Sequence, residues 1–278
     1  MIYFPNCKIN IGLFVTGKRD DGFHNIESVF YPIGLNDALE MRVSKENENS
    51  FTISGIGSEK DVAQNENNSV LKAYSLLKKD FPQLPYFNIH LDKGIPCFAG
   101  LGGGSSDGSF ALKLIDFMCE LHLSKDRLLH YSSLLGSDNP FFIENTPMFV
   151  YGRGEKMKKK DLSLKGYHIL LVKPNLNIST AEAYKDVHKT SSPFDLRDLD
   201  VKDIKHWKEY VKNDFEVHLF EKYPILSQYK QMLYDMGGIY CQMSGSGATI
   251  YGIFDFKPDI QKIKTDKQTF IYTEEIVN

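Results

Sequence analysis

The chain has 278 residues, of which 42% are hydrophobic and 25% charged, and its formal net charge at pH 7 is −3. This length suits one large domain or two ordinary ones, and the small negative charge excludes a general attraction to nucleic acid or acidic membranes. We expect no signal peptide and no spanning helix, since no apolar run reaches roughly 18 residues, and the scattered cysteines, without C-x-x-C spacing, predict reduced thiols in the cytoplasm.

Strands and one helix are predicted along the first part of the chain from hydrophobic periodicity. The polar residues 45–50 are interpreted as a hairpin tip from which the next strand returns. Asn67, Asn68 and Ser69 predict the start of a helix that Pro82 and Pro85 end. The predicted strands cover residues 7–16, 23–32, 38–43, 51–54 and 87–91.

The central stretch, residues 96–107, reads Pro-Cys-Phe-Ala-Gly-Leu-Gly-Gly-Gly-Ser-Ser-Asp and is called the glycine loop below. A helix is predicted from Gly108 on, because its apolar residues recur at i, i+3, i+4 and i+7. Ser105, Ser106 and Asp107 are residue types that cap a helix start. Glycines leave backbone N–H groups uncovered, and with the positive end of the helix dipole these form an anion site. The pattern therefore favours phosphate binding.

The alternative for this loop is a flexible turn between a strand and a helix. No lysine follows the glycines, so the stretch is not G-x-x-x-x-G-K-[ST], and its spacing is not that of the dinucleotide motif G-x-G-x-x-G. Three consecutive glycines are nevertheless a costly way to build a turn, because each loses more conformational entropy on folding than any other residue. This cost favours the phosphate site.

The second half of the chain alternates strands and helices again. The basic, weakly structured stretch 156–160 is the candidate domain boundary. A second helix is predicted over 124–135, and later helices begin at Ser179, at Pro224 and at Pro258. The pattern indicates the α+β class in two domains. The predicted strands cover residues 167–172, 239–243, 248–254 and 268–273.

Three glycine-bearing stretches carry a family resemblance. They are residues 8–24, the glycine loop, and Ser-Gly-Ser-Gly at 244–247, and in this order they resemble the three motifs of the GHMP small-molecule kinases. Leu-Gly-Ser-Asp-Asn-Pro-Phe-Phe at 135–142, Gly-Arg-Gly-Glu at 152–155 and Asn-Asp-Phe-Glu at 213–216 narrow the resemblance. They are similar to the branch that phosphorylates the 2-hydroxyl of 4-diphosphocytidyl-2-C-methyl-D-erythritol, with ATP as co-substrate and Mg²⁺ as cofactor. No nucleic-acid or membrane partner is implied.

The resemblance implies two domains and a pair of catalytic residues. Residues 1–155 would form an α/β sandwich domain with the ATP phosphate loop, and residues 156–278 a C-terminal domain of ferredoxin-like fold. Asp138 matches the family's catalytic aspartate and Lys8 its catalytic lysine. An ionised aspartate can accept the proton of the substrate hydroxyl, and a lysine can neutralise charge in the transition state. Without the resemblance, Asp138 would be a turn residue and Lys8 an exposed lysine.

The resemblance also implies the residues that bind the two substrates. Phe23, His24 and Tyr184 match positions around the cytosine, whereas core packing and a structural histidine are the alternatives for them. Thr180 and Asn10 match other substrate contacts, and Gly245 with Gly247 closes the third motif, for which a hairpin turn is the alternative. The residues assigned to ATP are Asn68, Lys93, Pro96, Gly100, Leu101, Gly102, Gly103, Gly104, Ser105 and Ser106.

Two other functions fit parts of this pattern. Another GHMP kinase, acting on mevalonate, homoserine or a sugar, would not need the three cytosine-side residues. A nucleotide-binding regulator without turnover would be expected to lack Lys8 or Asp138. The chain also departs from the family at three places. The first motif begins Asn6-Cys7-Lys8 where Pro-Ala-Lys or similar is usual, and Phe23 stands where tyrosine is more frequent. Gly108 replaces a common alanine, at a cost of roughly 1 kcal/mol within a helix.

Overall fold

The computed structural model describes residues 1–56, 68–185, 187, 194–263 and 265–277. The chain forms two compact units. Unit 1 contains Met1–Cys7, Leu35–Cys97 and Gly102–Thr146, and unit 2 contains Lys8–Gly34, Phe98–Leu101 and Pro147–Asn278. The glycine loop therefore contributes residues to both units. The domain boundary after residue 155 is a division in sequence order and stays a prediction.

The described residues contain twelve strands, eight α-helices and three short 3-10 helices. The strands are β1 Ile2–Tyr3, β2 Asn6–Lys18, β3 His24–Asn36, β4 Ala38–Val43, β5 Ser50–Gly55, β6 Phe87–Lys93, β7 Met148–Gly152, β8 Lys156–Lys159, β9 His168–Lys173, β10 Tyr240–Met243, β11 Ile250–Phe254 and β12 Phe270–Glu275. The α-helices are α1 Ser69–Asp80, α2 Gly103–Met118, α3 Lys125–Leu135, α4 Asn139–Glu144, α5 Thr180–Lys185, α6 Trp207–Tyr210, α7 Glu216–Lys222 and α8 Pro224–Asp235. The 3-10 helices are Leu196–Asp198, Val201–Asp203 and Ile260–Lys262.

Unit 1 is built on a four-stranded sheet in the order β1-β4-β6-β5. The predicted hairpin around residues 45–50 is wrong, because β4 pairs antiparallel with β6, and β5 pairs parallel with β6 on its other side. Parallel pairing needs a long crossover connection, and the segment between β5 and β6 carries helix α1. The alternating β6, with Phe87, Ile89 and Leu91 buried, takes a central place.

The core of unit 1 lies between this sheet and helices α1, α2 and α3. Asn68 caps α1 by accepting a hydrogen bond from the Val70 N–H at 2.8 Å, as predicted; Asn67 lies outside the described residues. The buried residues of this core are Leu39, Met41, Val70, Ala73, Tyr74, Leu77, Leu84, Phe87, Ile89, Leu91, Ala111, Leu112, Leu114, Ile115, Leu123 and Tyr131.

One sheet of unit 2 has the order β2-β3-β7-β8. The prediction that residues 156–160 are weakly structured is wrong, because residues 156–159 form strand β8, antiparallel to β7. It is an edge strand whose three lysines are exposed. Lysines on an edge strand oppose pairing with another chain, so these charges are compatible with a regular strand.

The second sheet of unit 2 has the order β10-β11-β9-β12, and all its pairs are antiparallel. In chain order β9 is the first and β11 the third strand of this sheet, and these two are its central strands. This is the arrangement of the ferredoxin-like fold. The helix predicted from Pro258 is wrong, because the described part of that connection contains only the 3-10 turn Ile260–Lys262. Asp259 and Asp266 each accept a hydrogen bond from the N–H two residues ahead, which favours turns over a helix.

The core of unit 2 contains strand residues of β2, β9, β10 and β11 together with α7 and α8, and it includes Leu13, Val15, Leu170, Val172, Phe215, Leu219, Leu226, Leu233, Met243, Ile250 and Phe254. The α+β class predicted from the sequence is confirmed by this mixture of sheets and helices. None of the helices in the described ranges is long and apolar enough to cross a bilayer.

Candidate active site

The part of the glycine loop that belongs to unit 1 contains the start of a helix that no described side chain caps. Helix α2 begins at Gly103, and its N-cap is Gly102, whose left-handed φ of 72° favours glycine. The predicted capping by Ser105, Ser106 or Asp107 is wrong, since no side chain among the described residues caps the helix and the Ser106 N–H already bonds to the Gly102 carbonyl at 2.9 Å. The first N–H groups of α2 and the positive end of its dipole are thus available to an anion.

The two glycines that open α2 differ in their surroundings. A Cβ at Gly103 would lie 2.9 Å from Cγ2 of Ile95, so a side chain there would collide with the interior of unit 1. A Cβ at Gly104 would meet no described atom within 4 Å. The exposed backbone of Gly104 is therefore the point at which a ligand can approach the helix start closely.

A buried ion-pair cluster holds the start of α2 in place. The Lys93 ammonium donates to Oδ2 of Asp107 at 2.7 Å and to Oδ2 of Asp37, and the Lys93 side chain is 5% exposed. The other oxygen of Asp37 accepts the N–H groups of Gly94 and Ile95, both at 2.7 Å. The cluster ties the end of β6 to the glycine loop. The amine of Lys93 is engaged here, and its assignment to adenine stays a prediction.

The cluster changes the protonation of its members. Burial raises the pKa of the Asp107 carboxyl to about 8, although the Lys93 ammonium opposes this shift. Burial alone would lower the pKa of Lys93, but its attraction to Asp107 and Asp37 outweighs burial and raises it. The raised pKa of Asp107 means that the cost of burying its charge is only partly offset by the Lys93 ammonium.

We expect Asp107→Asn to flatten the dependence of stability on pH. The folded-state pKa of Asp107 is raised above its unfolded value, so its contribution to stability is fully present below about pH 4 and is lost as the pH rises through 8. Wild type should lose up to about 1.4 kcal/mol of unfolding free energy per pH unit from this group between those values. Urea unfolding at a series of pH values measures the slope. The control Asp126→Asn, at an exposed position, should have the same slope as wild type. A wild-type slope in Asp107→Asn would mean that Asp107 is not the group that loses its proton in this pH range.

Asp138 belongs to unit 1, where the next residue in the chain is hydrogen-bonded to the glycine loop. It immediately precedes α4, and its side chain does not cap that helix. The following Asn139 is buried, donates to the Ser105 carbonyl at 2.8 Å, and accepts from the Ser109 hydroxyl at 2.8 Å. These bonds join the segment of Asp138 to the first turns of α2. A Cβ at Gly108 would lie 2.9 Å from Cβ of Ser69 and 3.2 Å from Nδ2 of Asn139, so a side chain there would crowd both neighbours.

In unit 2, Lys8 is buried rather than exposed, so the alternative of an ordinary surface lysine is wrong. Its side chain lies on β2, and the residue is 3% exposed. The ammonium donates to Oδ1 of Asn10 at 2.5 Å and lies 4.3 Å from the centre of the Phe30 ring. The Asn10 amide in turn donates to the Ser28 hydroxyl at 2.9 Å. Lys8 therefore has a defined position in unit 2, whereas Asp138 belongs to unit 1.

The third glycine motif, residues 244–247, connects β10 to β11 and also contacts the glycine loop within unit 2. The Ser244 hydroxyl donates to the Gly100 carbonyl at 2.9 Å and accepts the Asn10 N–H at 3.2 Å. The Lys8 N–H donates to the Leu101 carbonyl at 3.0 Å. Gly245 and Gly247 have φ values of 54° and 85°. The motif is a hairpin connection, and the structure brings it together with Lys8 and Asn10.

The residues assigned to cytosine also lie in unit 2. Phe23 is 55% exposed, with the Arg153 guanidinium 5.0 Å from its ring centre, so core packing is not its role. The rings of His24 and Tyr184 stack at 4.9 Å, and Tyr184 packs edge-on against Phe215 at 4.8 Å. Thr180 is exposed at the start of α5.

The surroundings of His24 shift its imidazole toward the neutral form. Partial burial, and secondly the charge of Lys18, lower its pKa below the usual value. A neutral imidazole offers one hydrogen-bond donor and one acceptor. His24 can thus pair with a base edge that presents both groups.

The remaining assigned residues are placed as follows. The side-chain oxygen of Asn68 accepts the hydrogen bond that caps α1, and Pro96 is buried in unit 1. The buried partners Asp37 and Asn139 were not identified from the sequence. Asp37 follows a strand without any motif, and Asn139 was read only as a part of the segment around Asp138. Their roles depend on neighbours that are distant along the chain.

The comparisons with known proteins agree with these observations. Residues 68–153 match the family model "GHMP kinases N terminal domain", and residues 196–266 match "GHMP kinases C terminal". The chain is 45% identical over 273 residues to a 4-diphosphocytidyl-2-C-methyl-D-erythritol kinase of Bacteroides thetaiotaomicron, covering 98% of both chains. It is 42% identical over 260 residues to one of Cytophaga hutchinsonii, covering 93% of this chain and 94% of that protein.

Solved structures show the same fold. The crystal structure of a 4-(cytidine 5'-diphospho)-2C-methyl-D-erythritol kinase superimposes with a TM-score of 0.73 at 26% identity, over 91% of this chain and 90% of that one. The mevalonate kinase of Methanococcus jannaschii superimposes with a TM-score of 0.66 at 15% identity, over 100% and 98%. The chain belongs to the GHMP kinase family, and within it to the 4-diphosphocytidyl-2-C-methyl-D-erythritol kinases.

Proposed function

We propose that this protein transfers the γ-phosphoryl group of ATP to the 2-hydroxyl of 4-diphosphocytidyl-2-C-methyl-D-erythritol, giving the 2-phosphate and ADP, in the non-mevalonate pathway to isoprenoid precursors. The observation that carries the proposal is the 45% identity with a kinase of that name over 98% of both chains. The geometry supports the phosphate chemistry, because an uncapped helix start with an exposed glycine is suited to binding the phosphates of ATP.

Mg²⁺ is proposed to accompany ATP. When bound, it neutralises charge on the phosphate oxygens and so favours transfer. Magnesium in kinases is commonly held by substrate phosphates and only one or two carboxylates. The described ranges contain no group of three or more His, Cys, Asp and Glu side chains suited to a metal. We assign no protein ligand to it.

Asp138 and Lys8 are proposed to carry the chemistry. The Asp138 carboxylate accepts the proton of the substrate hydroxyl as its oxygen forms a bond to the γ-phosphorus, and the bond between that phosphorus and the β,γ-bridging oxygen breaks to release ADP. Proton transfer is late, since positioning and charge neutralisation dominate in a loose transition state. The Lys8 ammonium supplies positive charge, and its bond to Asn10 holds it in one orientation.

Phe23, His24 and Tyr184 are proposed to bind the cytosine. We expect Tyr184→Ala to raise the KM for the cytidine substrate by roughly ten- to a hundredfold, because a base stacked on an aromatic ring is worth about 1–3 kcal/mol. The KM for ATP should not change, since the adenine is assigned to different residues. Steady-state kinetics with each substrate varied measures both constants. Tyr184→Phe keeps the ring and serves as the matched control; an equal KM in wild type and Tyr184→Ala would contradict the assignment.

The proposed function is tested by measuring ADP release from the purified protein against a panel of acceptors. We expect turnover with 4-diphosphocytidyl-2-C-methyl-D-erythritol and none with mevalonate, homoserine or galactose. Turnover of one of those three, with none on the cytidine compound, would move the protein to another branch of the family. Binding of ATP without turnover of any acceptor would indicate a nucleotide-binding regulator.

A cytoplasmic location, where ATP is available, is also proposed, and cell fractionation tests it.

A further inference from the structure

The Asn-Asp-Phe-Glu segment at residues 213–216 has no part in the chemistry described so far, yet its first and last residues are buried and bonded to the backbone around the third glycine motif. Asn213 is 2% exposed and Glu216 is 9% exposed. The amide nitrogen of Asn213 donates to the carbonyls of Met243 and Gly245, both at 2.8 Å. Glu216 accepts the Met243 N–H at 2.8 Å with one oxygen and pairs with the Lys230 ammonium at 2.6 Å with the other. The backbone is therefore held on both sides of Ser244.

The orientation of the Asn213 amide is determined by its neighbours. Its oxygen accepts the Phe215 N–H at 3.0 Å, so the nitrogen must face the two carbonyls. A rotation by 180° would bring the amide oxygen against both carbonyl oxygens and lose all three bonds. Because the group is buried, those carbonyls would have no water to replace the lost donor. Asn213 thus holds Met243 and Gly245 in one arrangement.

Ser244, held between these two residues, connects to Lys8. Its hydroxyl accepts the Asn10 N–H at 3.2 Å and donates to the Gly100 carbonyl at 2.9 Å. The Asn10 side chain then accepts the Lys8 ammonium at 2.5 Å. All of these residues belong to unit 2. A continuous set of hydrogen-bonded residues therefore runs from Asn213 through the third glycine motif and Asn10 to Lys8.

We infer that Asn213 is a positioning residue for phosphoryl transfer: it holds Ser244 so that Asn10 keeps the Lys8 ammonium buried and oriented. This inference rests on the proposed function for its effect on kcat, and on geometry alone for its effect on the burial of Lys8. Small displacements of a catalytic group can cost up to about a hundredfold in rate. The effect falls on kcat when the displaced charge acts mainly in the transition state.

The first test is kinetic. Asn213→Ala removes both donors, and we expect kcat to fall roughly ten- to a hundredfold while the KM values for ATP and for the cytidine substrate change much less. Asn213→Ser can donate one bond and should recover part of kcat. Tyr31→Phe is the control for stability, because it removes a buried hydroxyl that accepts the Leu164 N–H in the same unit, outside this network. An equal loss of kcat in Tyr31→Phe and Asn213→Ala would overturn the inference.

A double-mutant cycle tests the route. If Asn213 acts through Ser244, the effects of Asn213→Ala and Ser244→Ala on ln kcat are less than additive, whereas independent sites add. Additive effects would overturn the route through Ser244.

The second test does not depend on turnover. Amine acylation followed by mass spectrometry measures how fast each lysine is labelled. We expect Lys8, 3% exposed, to be labelled faster in Asn213→Ala than in wild type, while Lys173 of the same unit, 6% exposed and bonded to Pro174 and Leu176, is unchanged. Equal acceleration at both lysines, or at neither, would overturn the inference. A wild-type protein that fails to phosphorylate the cytidine substrate would instead refute the proposed function, and the labelling result would still decide the role of Asn213.

Discussion

Asp138→Asn is expected to lower kcat by about a hundredfold or more, the usual scale for loss of a general base. The amide keeps the shape of the carboxylate but cannot accept the substrate proton. Because Asp138 does not cap helix α4, and because Asn139 holds this segment against α2 through its own hydrogen bonds, the local fold should persist. ATP and the cytidine substrate should bind with nearly unchanged affinity. Steady-state ADP release and calorimetric titration measure the two quantities.

The matched control for this prediction is Asp126→Asn, the same substitution at an exposed position in the first turn of α3. It should leave kcat unchanged. If Asp138→Asn retains a kcat near that of the control, Asp138 is a turn residue and the mechanism proposed above is wrong.

Gly104→Val is expected to raise the dissociation constant for ATP by roughly ten- to a hundredfold. The valine side chain would keep the phosphates away from the exposed backbone N–H groups, and a hydrogen bond to a charged group is worth about 1.5–3 kcal/mol. The structure makes this position a sharper test than Gly103. A side chain at Gly103 would collide with Ile95 and disturb the fold, whereas a Cβ at Gly104 meets no described atom within 4 Å. Calorimetric titration with ATP measures the affinity.

Gly17→Val is the control for this substitution, since a Cβ there would meet only Nδ2 of Asn25, at 4.0 Å, among the described atoms. Its affinity for ATP should equal that of wild type. A thermal unfolding curve for each variant shows whether the fold is intact. An unchanged ATP affinity in Gly104→Val would mean that the phosphates do not approach this backbone.

Local sequence patterns predicted the elements whose signals are complete within a short stretch. The helix at 69–80 has a capping asparagine, an apolar face and a terminating proline close together, and the strand at 38–43 alternates regularly. Which strands pair with each other could not be predicted from such local patterns. The return of residues 51–54 as a hairpin is wrong, because β6 at Phe87–Lys93 lies between β4 and β5 in the sheet and pairs with both.

The glycine loop shows both outcomes in one segment. Its composition predicted an anion site at a helix start; the helix start is present, with Gly102 as its N-cap, and the anion site stays a prediction. The roles of the polar residues that follow were not local. Asp107 was assigned to capping, whereas it lies in the helix and is bound to Lys93. A buried carboxyl group takes the partner that the tertiary structure supplies.

By itself, therefore, the sequence determined the glycine-rich helix start that is proposed to bind phosphate, most helices and strands, and, through its motifs, the family with the candidate residues Lys8 and Asp138. These depend on residue types at short spacing and on similarity along the chain. The tertiary structure alone decided that Lys8 is buried on Asn10, that Lys93 joins Asp37 to Asp107, and that Asn213 holds the backbone around Ser244. Each of these depends on which distant groups meet in a water-poor interior, where an unpaired polar group is costly and hydrogen-bond partners are therefore selected by the fold.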